Sequence, residues 1–147
     1  MTILILNGPN LNRLGTRKPE IYGSKSMAQI LLDIQRNLPE VHLVYKQSNH
    51  EGDLIDWIQE ANDQSAMTND QSPIGIVLNA GGYSHTSVAL RDAVEECEVP
   101  VVEVHISDIT KREPFRQKSL LTDVCAYRII GKGTDGYEKA VEWLLNN

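Results

Sequence analysis

Residues 7 to 23, Asn-Gly-Pro-Asn-Leu-Asn-Arg-Leu-Gly-Thr-Arg-Lys-Pro-Glu-Ile-Tyr-Gly, set an amide (Asn10), a permanent cation (Arg17) and a phenol (Tyr22) in one polar stretch. A phenol ordinarily ionises near pH ~10, and a guanidinium held beside it favours the phenolate, so Arg17 and Tyr22 together can make a base. Each pKa unit needs about 1.4 kcal/mol of differential interaction, so reaching neutrality takes about 4 kcal/mol, most of which one close cation in a partly dry site can supply. The plainer alternative is a Tyr capping the loop beside a solvated Arg. Disorder is a third reading, opposed by the turn residues Asn7-Gly8-Pro9-Asn10 and by Leu11, Leu14 and Ile21, which give the loop something to pack with.

A second chemical cluster is Glu103-Val-His105-Ile106-Ser107. Two residues apart on a strand, Glu103 and His105 share a face, so the carboxylate can orient the imidazole as a general acid or base, or simply tie off the sheet end. Gly81-Gly82-Tyr83-Ser84-His85-Thr86-Ser87 offers close backbone approach and a helix capped by Ser84 or Thr86. His85 and Asp92, seven apart, are expected on one outward line of that helix, towards a ligand or another subunit. Arg112 and Arg116 share a face if their segment is helical, giving a basic patch or a solvated charge run. His42 reads as a satisfied core histidine. Cys97, on an apolar helix face, and Cys125, in a strand-like run, read as reduced core thiols, because neither has zinc or Cys-x-x-Cys spacing.

The elements that must position these groups follow from periodicity. Ile3 to Leu6 is a buried strand, and Met27, Ile30, Leu31, Ile34 and Leu38 mark a helix from Ser26 that Pro39 ends. Strands are expected at Val41 to Gln47, Ile74 to Leu78, Pro100 to His105 and, at an edge, Val124 to Ile130. Helices are expected at Asp53 to Asn62, through Leu90 to Cys97, and at Asp135 to Leu145, with a featureless loop at 63 to 72. Alternating strands and helices imply a five-stranded parallel sheet of flavodoxin-like order 2-1-3-4-5 with helices on both faces. In that order the polar ends of strands one, three and four converge on one crevice.

The chain has 147 residues, 41% hydrophobic and 23% charged, consistent with one α/β domain over residues 1–147. Its formal charge of −6 argues against a nucleic-acid partner, while a local basic patch can still hold a small anion. No apolar run is long enough for a membrane span, and the start lacks a signal-peptide pattern, so a cytoplasmic protein is expected. There is no phosphate-binding loop, dinucleotide fingerprint or metal-spaced cluster, so the reading needs no cofactor or metal. A flavodoxin-like binding module for a phosphate or flavin, or another lyase or isomerase on this scaffold, would use the same crevice.

The runs at 7 to 23, 47 to 52 (Gln-Ser-Asn-His-Glu-Gly), 79 to 87, 103 to 107 and 112 to 116 (Arg-Glu-Pro-Phe-Arg), in this order and spacing, resemble the type II 3-dehydroquinate dehydratases over nearly the whole chain. The resemblance implies cofactor-free anti elimination of water from 3-dehydroquinate through an enolate, giving 3-dehydroshikimate in the shikimate pathway. It makes Tyr22 the base with Arg17 stabilising its phenolate, and His105, oriented by Glu103, the acid. It gives Asn10 a water to position, and gives the substrate to Asn79, His85, Arg116 and the backbone of Ile106 and Ser107. It also implies a homo-oligomer of trimers assembled into a dodecamer, with Asp92 serving a neighbouring subunit. Ala80 stands where the family commonly has Pro, Asp108 where it has Asn, and Tyr127-Arg128 where it has small or apolar residues; none of these removes a reacting group.

Overall fold

A computed structural model describes residues 1–67 and 72–147. Five parallel strands, β1 (Thr2–Asn7), β2 (His42–Gln47), β3 (Pro73–Asn79), β4 (Val101–His105) and β5 (Tyr127–Ile130), form one sheet in the order β2-β1-β3-β4-β5. Helices α2 (Met27–Asn37) and α5 (Asp135–Asn146) contribute to the core on one face, with Ile3, Ile5, Val77, Val102 and Val104. Helices α3 (Glu51–Ser65) and α4 (Val88–Glu96) cover the other, against Leu4, Leu6, Ile76 and Leu78. Alternate residues of β1 thus feed opposite cores, and each fully buried Leu or Ile stabilises the fold by about 1.5–3 kcal/mol.

Local chemistry sets the helix ends. Ser26 and Gln29 exchange side-chain and backbone hydrogen bonds as a capping box at the start of α2. Ser87, not Ser84 or Thr86, caps α4 by accepting from Leu90 N–H at 2.9 Å. The expected loop at 63 to 72 is shorter at its start, because α3 runs on to Ser65; positions 68–71 lie outside the described residues. β5 begins only at Tyr127, so Cys125 sits in the turn ahead of it, and Cys97 is the C-terminal cap of α4. Both thiols are free and partly buried. His42 opens the edge strand β2 and is exposed, contrary to its reading as a core residue.

Register brings the functional ends level. Asn7 pairs with Asn79 across β1 and β3, and β4 runs on to His105 beside them. Gly8 follows at once, where an added Cβ would lie 2.4 Å from Ala80 O, so only glycine lets the two loops touch. Ala80 is itself buried in this contact. Beneath it, Tyr137 of α5 donates to Asn7 Oδ1 at 2.8 Å and accepts from Asn79 Nδ2 at 2.9 Å. Burial pushes this phenol well above its ordinary range, although its Asn79 bond acts the other way, so it stays neutral.

Tyr137→Phe leaves both amides one partner short in a dry site and should lower stability by about 1–3 kcal/mol. Urea unfolding checks this as a lower midpoint at unchanged slope; an unaltered midpoint would show that the bridge carries no net stability.

Candidate active site

The carboxyl ends of β1, β3 and β4 open on a cavity of about 180 Å³. Asn10, Arg17 and Tyr22 reach it from the loop after β1, Asn79 and His85 from the end of β3 and the turn beyond. His105, Ile106, Ser107, Arg112 and Arg116 line it from the end of β4 and its continuation. Of the residues singled out in the sequence, Glu103 lies behind this wall and Asp92 outside it. Asp92 is exposed on α4, while His85 belongs to the 3-10 turn Gly81–His85, so the two do not share a helix line as expected.

The loop after β1 is ordered as a 3-10 turn, Leu11–Arg13, and a short helix α1 (Pro19–Tyr22) with Pro19 at its first position. Leu11, Leu14 and Tyr22 are buried in the core, as the loop's apolar content implies. Arg17 lies over the Tyr22 ring, its Cζ 4.4 Å from the centroid. The hydrogen bond to the phenol oxygen comes from a different cation: Arg112 Nη1 donates to Tyr22 Oη at 3.0 Å and to Ser107 Oγ at 3.4 Å. Sequence reasoning gave the cation's part to Arg17 and left Arg112 in a patch. The segment is two 3-10 turns, Ile109–Lys111 and Pro114–Arg116, rather than one helix, so the four-residue spacing had no face to mark. Arg-Glu-Pro was the available signal, since Pro114 forces a break just beyond Arg112. Arg116 is held by Glu113, Nε to Oε2 at 2.9 Å.

Opposite the phenol stands a buried acid–imidazole pair. His105 Nε2 lies 2.7 Å from Glu103 Oε2, and Glu103 is fully buried. Burial alone would raise the Glu103 pKa. The hydrogen bond and charge of His105, with bonds from Ser119 and Thr122, outweigh burial and hold it below the ordinary carboxylate value. An ionised carboxylate only accepts, so Nε2 carries the hydrogen and Nδ1 is the nitrogen left to the cavity. The His85 ring stacks 6.2 Å from that of His105, with its own Nδ1 donating to Lys118 O at 2.8 Å. Cys125 is no nucleophile here: burial, then the charges of Glu103 and Asp123, push its thiol far up.

Asn10 adopts a left-handed conformation with φ 70°, its N–H donating to Asn49 Oδ1 at 3.0 Å. Asn79 accepts from Gly81 N–H at 3.2 Å while donating to Tyr137, and each end of its amide retains capacity for one further partner. A larger cleft of about 740 Å³ lies at the other end of the sheet, near Met1, His42 and Pro73. Its lysine, Lys46, sits over Trp57 and pairs with the exposed Glu60 at 4.0 Å, and the described residues that line the cleft include no buried acid–imidazole pair. We therefore assign the chemistry to the smaller cavity. Among the described residues, no group of His, Cys, Asp and Glu is placed to hold a metal ion, and no helix is long and apolar enough to cross a membrane.

A doubly wound parallel sheet, with a cavity joining a cation-flanked phenol to a carboxylate-backed imidazole, defines an α/β protein equipped for proton transfer. Comparison with known proteins identifies the family. The dehydroquinase class II family model matches residues 1–145. The 3-dehydroquinate dehydratase of Exiguobacterium sp. is 47% identical, over 100% of this chain and 96% of its own. That of Bacillus subtilis is 48% identical, over 97% and 93%. The crystal structure of a type II dehydroquinase from Butyrivibrio crossotus matches with a TM-score of 0.89 at 40% identity, covering 99% of this chain and 97% of that one. The chain belongs to the class II dehydroquinase family and is an enzyme.

The depressed Glu103 pKa has a pH consequence. Its stabilisation is fully present above the ordinary value of 4.5 and is lost as pH falls through the lower folded value. Glu103→Gln should cost about 1–3 kcal/mol at neutral pH and should lose less stability than wild type on acidification. Parallel stability curves from pH ~6 to ~3 would assign the acid sensitivity elsewhere.

Proposed function

We propose that this chain catalyses the dehydration of 3-dehydroquinate to 3-dehydroshikimate, the shikimate-pathway step, as a cytoplasmic enzyme that needs no cofactor. Family membership supports the overall reaction. The residue assignment rests on one observation: Tyr22 and His105 line the same cavity, each against a group of the charge its task requires.

Tyr22, as phenolate, removes the carbon-bound proton beside the ketone, and the electron pair moves into an enolate. Arg17 over the ring and Arg112 on the oxygen meet the negative charge before transfer, and the cavity's cations meet it as it develops on the substrate. Asn10 positions a water at the enolate oxygen. The enolate then collapses, the carbon–oxygen bond breaks, and His105 delivers its proton to the departing hydroxyl, which leaves as water. Glu103 meets the positive charge that the imidazole carries before that transfer. Arg116, with His85, Asn79, Ser107 and the backbone of Ile106, holds the substrate's carboxylate and hydroxyls. The proposal includes a trimer-based dodecamer in which Asp92, exposed on α4, completes a neighbouring subunit's site.

Formation of the enone chromophore from 3-dehydroquinate, in the presence of chelator, tests the reaction. Tyr22→Phe and His105→Ala should each lose about 10²–10⁴-fold in kcat while remaining folded. Arg112→Ala should fall with them, since it removes the hydrogen bond to the phenol oxygen. Near-native turnover in Tyr22→Phe would exclude the phenol as base. A solution mass that stays monomeric at assay concentration would refute the shared site.

A further inference from the structure

Behind the imidazole, the Glu103 carboxylate is ringed by hydroxyls that the cavity never touches. Ser119 Oγ, with His105 Nε2, bonds to Oε2, and Thr122 Oγ1 bonds to Oε1 at 2.7 Å. A hydroxyl has one proton to give, and its direction depends on what else approaches its oxygen. Leu121 N–H donates to Ser119 Oγ at 3.1 Å, and Arg128 Nη1 donates to Thr122 Oγ1 at 3.3 Å. A backbone amide and a guanidinium can only donate, so each hydroxyl proton is left to point at the carboxylate.

We propose that Ser119 and Thr122 are positioning residues for His105: they aim two O–H donors at Glu103, fix it as an oriented carboxylate, and so set the imidazole tautomer that leaves Nδ1 to the cavity. Arg128, which lies beside Glu103 in register on β5, sets the direction of the Thr122 hydroxyl. The proposal rests on the reading of His105 as the acid, but its central observable does not need turnover.

Removing the two hydroxyls leaves bare lone pairs where no other donor reaches them. The neutral form of Glu103 is then favoured, and a neutral carboxyl can donate to Nε2 and reverse the tautomer. The titratable and charged groups around the pair remain in place: His85 from the turn after β3, Arg17 and Tyr22 from the first loop, Arg112, Arg116 and Cys125 from the β4–β5 connection, and Arg128 from β5.

The experiment follows the ring nitrogens by NMR in protein labelled with 15N-histidine, whose four histidines are sorted by the signals missing from His105→Ala. Wild type should show neutral His105 with its proton on Nε2. Ser119→Ala with Thr122→Val should give mixed tautomers, with part of the neutral ring carrying its proton on Nδ1. In parallel, kcat should fall at least about tenfold at nearly constant KM, since neither side chain lines the cavity. Thr122→Ser should restore the wild-type spectrum where Thr122→Val does not. If the double variant does not fold, Arg128→Met keeps both hydroxyls and should give a smaller change of tautomer in the same direction. An unchanged tautomer in a folded variant overturns the inference, whatever the enzyme turns over. A wild type with the Nε2–H tautomer and no activity on 3-dehydroquinate would support the orientation while refuting the acid role.

Discussion

Glu103 is a negative charge placed inside a parallel sheet, at a strand position where its neighbours Val102 and Val104 are fully buried. Taking a carboxylate out of water costs several kcal/mol, even after relaxation, unless its lone pairs are met. Here they are met by His105 on the same strand and by one connection, the chain between β4 and β5, which must fold back over the strand to bring Ser119 and Thr122 within reach. That return is pinned in turn. Leu120 N–H donates to Ser84 O at 2.7 Å, and Arg91 of α4 donates to Leu120 O at 2.7 Å while pairing with Asp123. The same connection, on its outward leg, delivers Arg112 and Arg116 to the cavity. Satisfying one buried charge therefore fixes the route of the segment that also supplies two of the cavity's cations.

Tyr22 is held by an independent piece of chain. The first loop lies against the end of β3 at Gly8 and Ala80, and Gln47 Nε2 donates to Gly8 O at 3.2 Å, tying it to the end of β2 as well. Its helix α1 presents Tyr22 between Arg17 on the ring face and Arg112 at the oxygen. Cations face the phenol, and an anion backs the imidazole. Arg112 joins the two halves, since it belongs to the connection that follows His105 and bonds Tyr22.

The sheet was legible because its strands are apolar runs and its helices carry regular stripes, both long enough for period to speak. The clusters at 7 to 23, 79 to 87 and 103 to 107 converged because strand order alone decides which ends are neighbours. Errors arose where structure is short. In the two 3-10 turns after β4, spacing carries no face, so Arg112 was undervalued; a 3-10 turn also took His85 off the helix line drawn through Asp92. His42 was misjudged because it opens an edge strand, where one flank is solvent. Ser119 and Thr122 were invisible as partners of Glu103, being sixteen and nineteen residues away along a connection with no periodicity.

What singles out Tyr22 among the phenols is its partners, not its burial. Tyr45 and Tyr137 are also enclosed near the ends of the first strands, and burial pushes both upward, against weaker opposing bonds from asparagine side chains. An amide can donate to a phenol oxygen but brings no net charge to offset desolvation, so these two remain neutral and hold the fold together. Tyr22 is buried too, more fully than Tyr45, yet it meets two guanidinium groups at once and lines the cavity. A chain of net charge −6 thus gathers three arginines on one small cavity, a local field opposite to the global sign and suited to an anion.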